Sequence, residues 1–322
     1  MATLTLEAVE KLLDSLSPKE LFAQHSYKDL AFATHPDRNP GEPRATVLFD
    51  RVAKAWEAKD APPVLIKGSR HTYTLGRLIA AGDIADVYEG ASGSSRYILK
   101  IARVPGSHAY LDVEQKHVAR LLKEAGDSVY RLYVPTLVES FPAKDKIQKR
   151  VNVFAHPGKP MYTFKQVVEK HPKLDGRHIA WIFRRLCEFL EFASRHKIVH
   201  GAILPEHVLI DVAGHGVQLC GWGQSVETGQ PVKIIASRYA SWYPPEVIGK
   251  KPTAAATDLY MVGRLMLSAA AGTPDRMKAF FKSLTLPGVL MRPDSPARVY
   301  DDFAEVITRV YGPKKFVALS ME

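Results

Sequence analysis

The sequence predicts an α+β protein in which a small all-helical unit precedes a β-rich half and then an α-rich half. Three observations carry this. A capping box and two helical apolar stripes occupy the first sixty residues, short strand-like runs broken by glycine begin at Tyr73, and helical spacing takes over from about residue 176. At roughly 100–200 residues per domain, the 322 residues allow two domains, or one large domain with a small appendage. Apolar residues make up 46% and charged residues 24%, the composition of a globular chain with a sizeable core and not of a disordered one. The net charge of +10 is uneven: residues 1–60 carry −2 and the remainder +12.

Ser17-Pro18-Lys19-Glu20 reads as a capping box with proline at the first helical position. Tyr27, Leu30, Ala31 and Thr34 continue the helical spacing, so one helix is expected from Ser17 to His35, ended by Pro36. A second helix is expected over 45–59, with Ala45, Leu48, Phe49, Val52, Ala55 and Trp56 on one stripe. The product is a helical hairpin with His35-Pro36-Asp37 at its tip.

YKDLAFATHPDRNP followed by ATVLFDRVAKAWEAK resembles helix II, the HPD loop and helix III of a J domain, the module of DnaJ-type co-chaperones. The resemblance implies that His35, Pro36 and Asp37 trigger ATP hydrolysis by a DnaK-type chaperone, with Lys28 on the docking face of helix II. Lys28 stands nearly alone there beside Asp29, so steering toward an acidic partner is weak. The alternative is a plain helix-turn-helix in which Pro36 breaks the helix and Asp37 caps the next turn.

Asp60-Ala-Pro-Pro-Val reads as a short stiff linker, which divides the chain into 1–60, a linker at 61–71, and 72–322. The order of features in 72–322 resembles the protein kinase fold, a β-rich small lobe followed by an α-rich large lobe. LIAAGDIADVYEG sits where the glycine-rich loop lies, and YILK ends with Lys100 where the family has its phosphate-pairing lysine. Glu114 stands as the ion-pair partner of that lysine, HGAILPEH as the catalytic loop, VQLCGWGQS as the DFG segment and YPPEV as APE.

That resemblance places Ala202 where the catalytic aspartate stands, Leu204 in place of the catalytic-loop lysine, His207 in place of the metal-binding asparagine, and Gly221 in place of the DFG aspartate. Losing one such group costs about two to four orders of magnitude in rate. The expectation is therefore a pseudokinase, not an enzyme, with no metal and no cofactor beyond ATP bound without metal. Gly82, Lys100 and Glu114 are the candidates for nucleotide binding. The other reading of Lys100 and Glu114, which the sequence favours, is a salt bridge that fastens a helix to the sheet. Glu246 with Arg292, Asp258 and His200 match structural positions of the family, and Gly201 replaces the arginine that would receive a phosphate on Ser225 or Thr228.

Two cysteines, Cys187 and Cys220, exclude a disulfide framework and point to a reducing cytoplasm. MATLTLEAVE lacks the basic residues and continuous apolar core of a signal peptide, so no membrane attachment is expected. Basic residues without zinc spacing or an RNP-type aromatic run disfavour nucleic acid. The expected partners are a DnaK-type chaperone and a client or scaffold protein; an atypical ATP-binding phosphotransferase and a pure interaction scaffold are the competing functions.

Overall fold

The computed structural model describes residues 4–144, 148–313 and 315–321; the expected outer limits at residues 1 and 322 lie outside them. Among the described residues the N-terminal unit has four α-helices: α1 (Leu6–Ser15), α2 (Pro18–Gln24), α3 (Tyr27–Thr34) and α4 (Pro43–Ala58). The capping box at Ser17 is present in full, with the Ser17 side chain accepting from Glu20 N and Glu20 accepting from Ser17 N. The single helix expected from Ser17 to His35 is two. His25 is extended, and the Ser26 hydroxyl accepts from Asp29 N at 3.1 Å, capping α3 afresh. A serine that can satisfy an orphan N–H restarts the helix more cheaply than His25 can continue it. Val9, Leu13, Leu21, Leu30, Leu48 and Val52 form the core.

Residues 61–71 carry a strand. β1 (Leu65–Lys67) pairs antiparallel with β2 (Thr72–Ala81), Ile66 facing Tyr73. The turn between them is held from below by Glu139, whose carboxylate accepts from Ser69 N at 2.9 Å, Ser69 Oγ at 2.6 Å, Arg70 N at 3.1 Å and Tyr73 OH at 2.5 Å. Burial alone would push the Glu139 carboxyl up, but the donors of Ser69, Tyr73 and Arg70 hold it below its usual range. A side chain at Gly68 would strike Glu139 Oε1, so the turn requires glycine there.

β3 (Ala85–Ser92), β4 (Ser95–Ala102), β5 (Leu137–Pro142) and β6 (Arg150–Ala155) complete a six-stranded antiparallel sheet of order β1-β2-β3-β4-β6-β5. The strand-like runs expected from Tyr73 onward fall on β2, β3 and β4. α5 (His108–Ala125) packs on this sheet and stops at Gly126, whose φ of +52° takes the chain out of the helix.

The second lobe begins with β7 (Tyr162–Thr163), α6 (Phe164–Lys170) and α7 (Gly176–Arg195), followed by β8 (Ile198–Val199), β9 (Val208–Asp211), β10 (Gly216–Leu219) and β11 (Val226–Glu227). It ends with α8 (Pro245–Ile248), α9 (Ala255–Ser268), α10 (Asp275–Leu284) and α11 (Pro296–Tyr311). Phe183 lies 4.5 Å from Phe303 and 5.1 Å from Phe281, ring centre to ring centre, at the middle of the helical core. Each such buried ring contributes about 1.5–3 kcal/mol by leaving water. A three-stranded sheet of order β10-β9-β7 and the pair β8–β11 flank the loops 200–207 and 220–225. Among the described residues no helix is long and apolar enough to cross a membrane.

Candidate functional site

The N-terminal tip is an ordered loop. His35 ends α3, its Nδ1 accepting from Asp37 N at 3.2 Å, and its ring meets Phe49 of α4 edge to face at 5.3 Å. Asn39 Nδ2 donates to the carbonyls of Ala33 and His35. Pro36 opens a short 3-10 turn, and the Asp37 carboxylate is 90% exposed. Lys28 is exposed on α3.

The cleft between the lobes brings together most of the other residues. Lys100 on β4 donates to Glu114 Oε1 on α5 at 2.7 Å. Glu114 Oε2 accepts from Asn152 Nδ2 at 3.0 Å, and Asn152 faces Lys100 across the β4–β6 ladder. Sequence reasoning missed Asn152, although a lone amide within the apolar run VNVFA signals a buried group that needs partners. Gly82 sits in the turn above. Its N–H is spent on Ala85 O, its carbonyl on Arg103, and a side chain there would strike Ala85 O at 2.8 Å, so this glycine serves a tight turn.

On the floor, Ala202 is fully buried and presents only a methyl group, and Leu204 is buried in the core. Gly221 has φ +82°, and the His207 ring covers it so closely that a side chain at 221 would meet ring atoms at 2.6–2.7 Å. The imidazole thus occupies the volume a residue-221 side chain would need. His207 Nδ1 lies 2.7 Å from Ala202 O and donates to it, and burial lowers the affinity of the ring for a second proton.

Beneath this layer the scaffold is closed. Asp258 on α9 accepts from His200 N at 2.7 Å and Gly201 N at 2.9 Å; burial pushes its carboxyl up to about 7, against those two donors. His200 accepts from Ala202 N through Nδ1 and donates to Cys220 O through Nε2, and burial pushes it down to about 3, so it is neutral. Its ring lies 4.4 Å from Trp222. Arg292 donates to Glu246 Oε2 at 2.7 Å and to Ala256 O, while Thr257 donates to Glu246 Oε1.

Residues 73–280 match the protein kinase domain. Mouse Aurora kinase C is 30% identical over 118 residues, 37% of this chain and 41% of that protein. Mouse serine/threonine-protein kinase 36 is 23% identical over 204 residues, 63% and 15% of the two, and Xenopus tropicalis Aurora kinase B is 21% identical over 229 residues, 70% and 62%. The chain spans less than two thirds of the length of each of these relatives. The kinase domain of Mycobacterium tuberculosis PknI superposes with a TM-score of 0.59 at 13% identity, covering 76% of this chain and 98% of that one, a likeness of fold. The N-terminal helices precede the matched residues.

Two expectations are overturned by these matches. The residues at the catalytic positions predict that the chain is not an enzyme; its relatives are protein kinases, and the match points to a kinase enzyme. The substitutions at Ala202, Leu204, His207 and Gly221 describe which conventional groups are missing, and a missing group does not remove a domain from its enzyme family. Likewise, the expectation of no cofactor beyond metal-free ATP gives way to that of the family, ATP with Mg2+. Lys100 and Glu114 fit the nucleotide part of that pairing. At the floor the donors do not fit the usual Mg2+ pair, a cation that seeks oxygen ligands: His207 offers an imidazole, Gly221 offers no side chain, and among the described residues no three His, Cys, Asp or Glu side chains converge. The match over 73–280, together with the two-lobed architecture around Lys100 and Glu114, shows that this chain belongs to the protein kinase domain family.

Proposed function

We propose that the N-terminal unit is a J-type module that engages a DnaK-type chaperone through His35-Pro36-Asp37, and that the kinase domain brings the client or scaffold protein. The observation that carries this reading is the braced loop: Asn39 and Phe49 fix His35 while the Asp37 carboxylate beside it remains 90% exposed. Two free cysteines, Cys187 buried and Cys220 partly buried, support a reducing cytoplasm as its setting. The test is the ATPase rate of a DnaK-type chaperone with the full chain and with His35→Gln. The expected result is stimulation by the first and loss in the second; no stimulation by the unaltered chain sinks the reading.

The Lys100–Glu114 pair favours a second reading for the kinase domain, an ATP-binding phosphotransferase acting on a protein hydroxyl. Lys100 is 17% exposed at the cleft and held at 2.7 Å by a buried carboxylate, a cation positioned for phosphate. The proton acceptor in this reading is a group other than residue 202, whose methyl cannot take a proton. Thermal denaturation with ATP and Mg2+ tests the binding step: a rise in Tm that Lys100→Ala abolishes supports it, and a flat Tm refutes it.

A further inference from the structure

Glu114 is assembled with Lys100 by more than the ion pair. Asn152, fully buried, donates from Nδ2 to Glu114 Oε2 at 3.0 Å and to the Leu111 carbonyl at 2.9 Å, while Ser140 Oγ donates to its Oδ1 at 2.5 Å. The amide therefore ties two successive turns of α5 to β6 of the sheet. Three hydroxyl or amide hydrogens are satisfied around a fully buried side chain, which makes the connection directional as well as strong.

One turn beyond Glu114, α5 is also tied to the lower lobe. His117 Nδ1 lies 2.7 Å from Ser225 Oγ, and Ser225 Oγ lies 2.5 Å from Trp222 O. A carbonyl only accepts, so the single Ser225 hydrogen goes to Trp222 and His117 is the donor to Ser225. Both side chains are buried, at 4% and 3% exposure. At the rim, Glu227 receives Lys116 at 3.2 Å and approaches Arg120 at 3.9 Å, both from α5.

A phosphate on Ser225 has no seat in this arrangement. Ser225 is buried with its hydroxyl engaged. At Gly201, φ is +70° and a side chain would meet Val232 Cγ2 at 2.8 Å and Gln224 O at 3.1 Å, so no basic side chain fits there to receive one.

We infer that Asn152 and His117 are positioning residues that hold α5, and with it the Lys100–Glu114 pair, in the assembled state without any modification of the segment after Gly221. The inference extends the nucleotide-binding reading of Lys100, but its test runs without nucleotide, so the two fail separately.

The experiment is hydrogen–deuterium exchange on the full chain after phosphatase treatment, following α5 against α7 as an internal reference. The unaltered chain should protect α5 as well as α7. Asn152→Leu, which keeps the volume and removes the amide, and His117→Phe, which removes the donor, should each speed exchange over 108–125 by about tenfold or more with α7 unchanged. His117→Gln retains an N–H donor and should restore much of the protection. Fast exchange of α5 in the phosphatase-treated chain overturns the inference. So does unchanged exchange in both variants. A rise shared equally by α7 makes the two residues ordinary core packing and overturns it as well.

Discussion

The Glu246–Arg292 pair gives a sharp energetic test of the scaffold. Arg292 has no exposed side-chain surface and Glu246 has 3%, with one direct contact of 2.7 Å. The guanidinium also donates to Ala256 O and lies over the Tyr260 ring, 5.1 Å from its centre. Arg292→Met keeps most of the length and apolar volume but leaves the Glu246 carboxylate with the Thr257 hydroxyl in place of a cation. Stranding one charge of a buried pair costs about 3–5 kcal/mol. For a domain of about 150–250 residues each kcal/mol moves Tm by roughly 2–4 °C, so the melt should fall by about 10 °C. Replacing both partners, Glu246→Leu with Arg292→Met, removes the stranded charge and should recover most of the loss, because two desolvation costs vanish with the attraction. The assay is thermal unfolding of the full chain at pH 7, the two single variants and the double forming a cycle. A single-variant loss below about 1 kcal/mol, the range of exposed pairs, refutes the argument, as does a double variant no better than Arg292→Met.

Two further outcomes follow from the geometry. Gly221→Ala should lower stability by about 2 kcal/mol, through strain at a positive φ and contact with the His207 ring; adding His207→Ala should return the part due to contact, and thermal melts showing no recovery would mean the ring does not fill that space. Glu139→Gln tests the hairpin turn against pH. Its folded carboxyl lies below the ordinary 4.5, so the stability it adds is whole above that value and disappears as pH falls through the folded value. Urea midpoints from pH 6 down to pH 3 should therefore drop more steeply for the unaltered chain than for Glu139→Gln, and parallel slopes would refute the role assigned to the carboxylate.

Much of the architecture is written in local chemistry. The Ser17 box, the strand runs and the α7 stripe each follow from residues a few positions apart, and ordered landmarks such as Lys100, Asp258 and Arg292 place the two-lobed fold. The break at His25–Ser26 is hidden because apolar spacing runs straight through it, whereas the outcome lies with one serine hydroxyl. β1 is hidden because the Glu139 carboxylate that holds its turn lies 70 residues from Ser69, and no local pattern reports so distant a bond. The site divides the same way. Lys100 and Glu114 are legible from position along the chain, while Asn152 and the His117–Ser225 bond depend on three-dimensional closure. Ala202 and Gly221 show which side chains are missing, but to conclude from them that the chain is no enzyme goes further than residue identity carries, and the family match corrects it. That His207 would fill the space above Gly221 needed the fold.

The Glu139 nest also orders events in time. During synthesis at about 5–20 residues per second, the N-terminal helices and both strands of the β1–β2 hairpin emerge first, and Glu139 follows Ser69 by roughly 4–14 s. Their turn must wait that long for the carboxylate that completes it. The helical unit, whose core is drawn wholly from residues 9–52, has no such dependence and can close while the edge of the sheet behind it is still open.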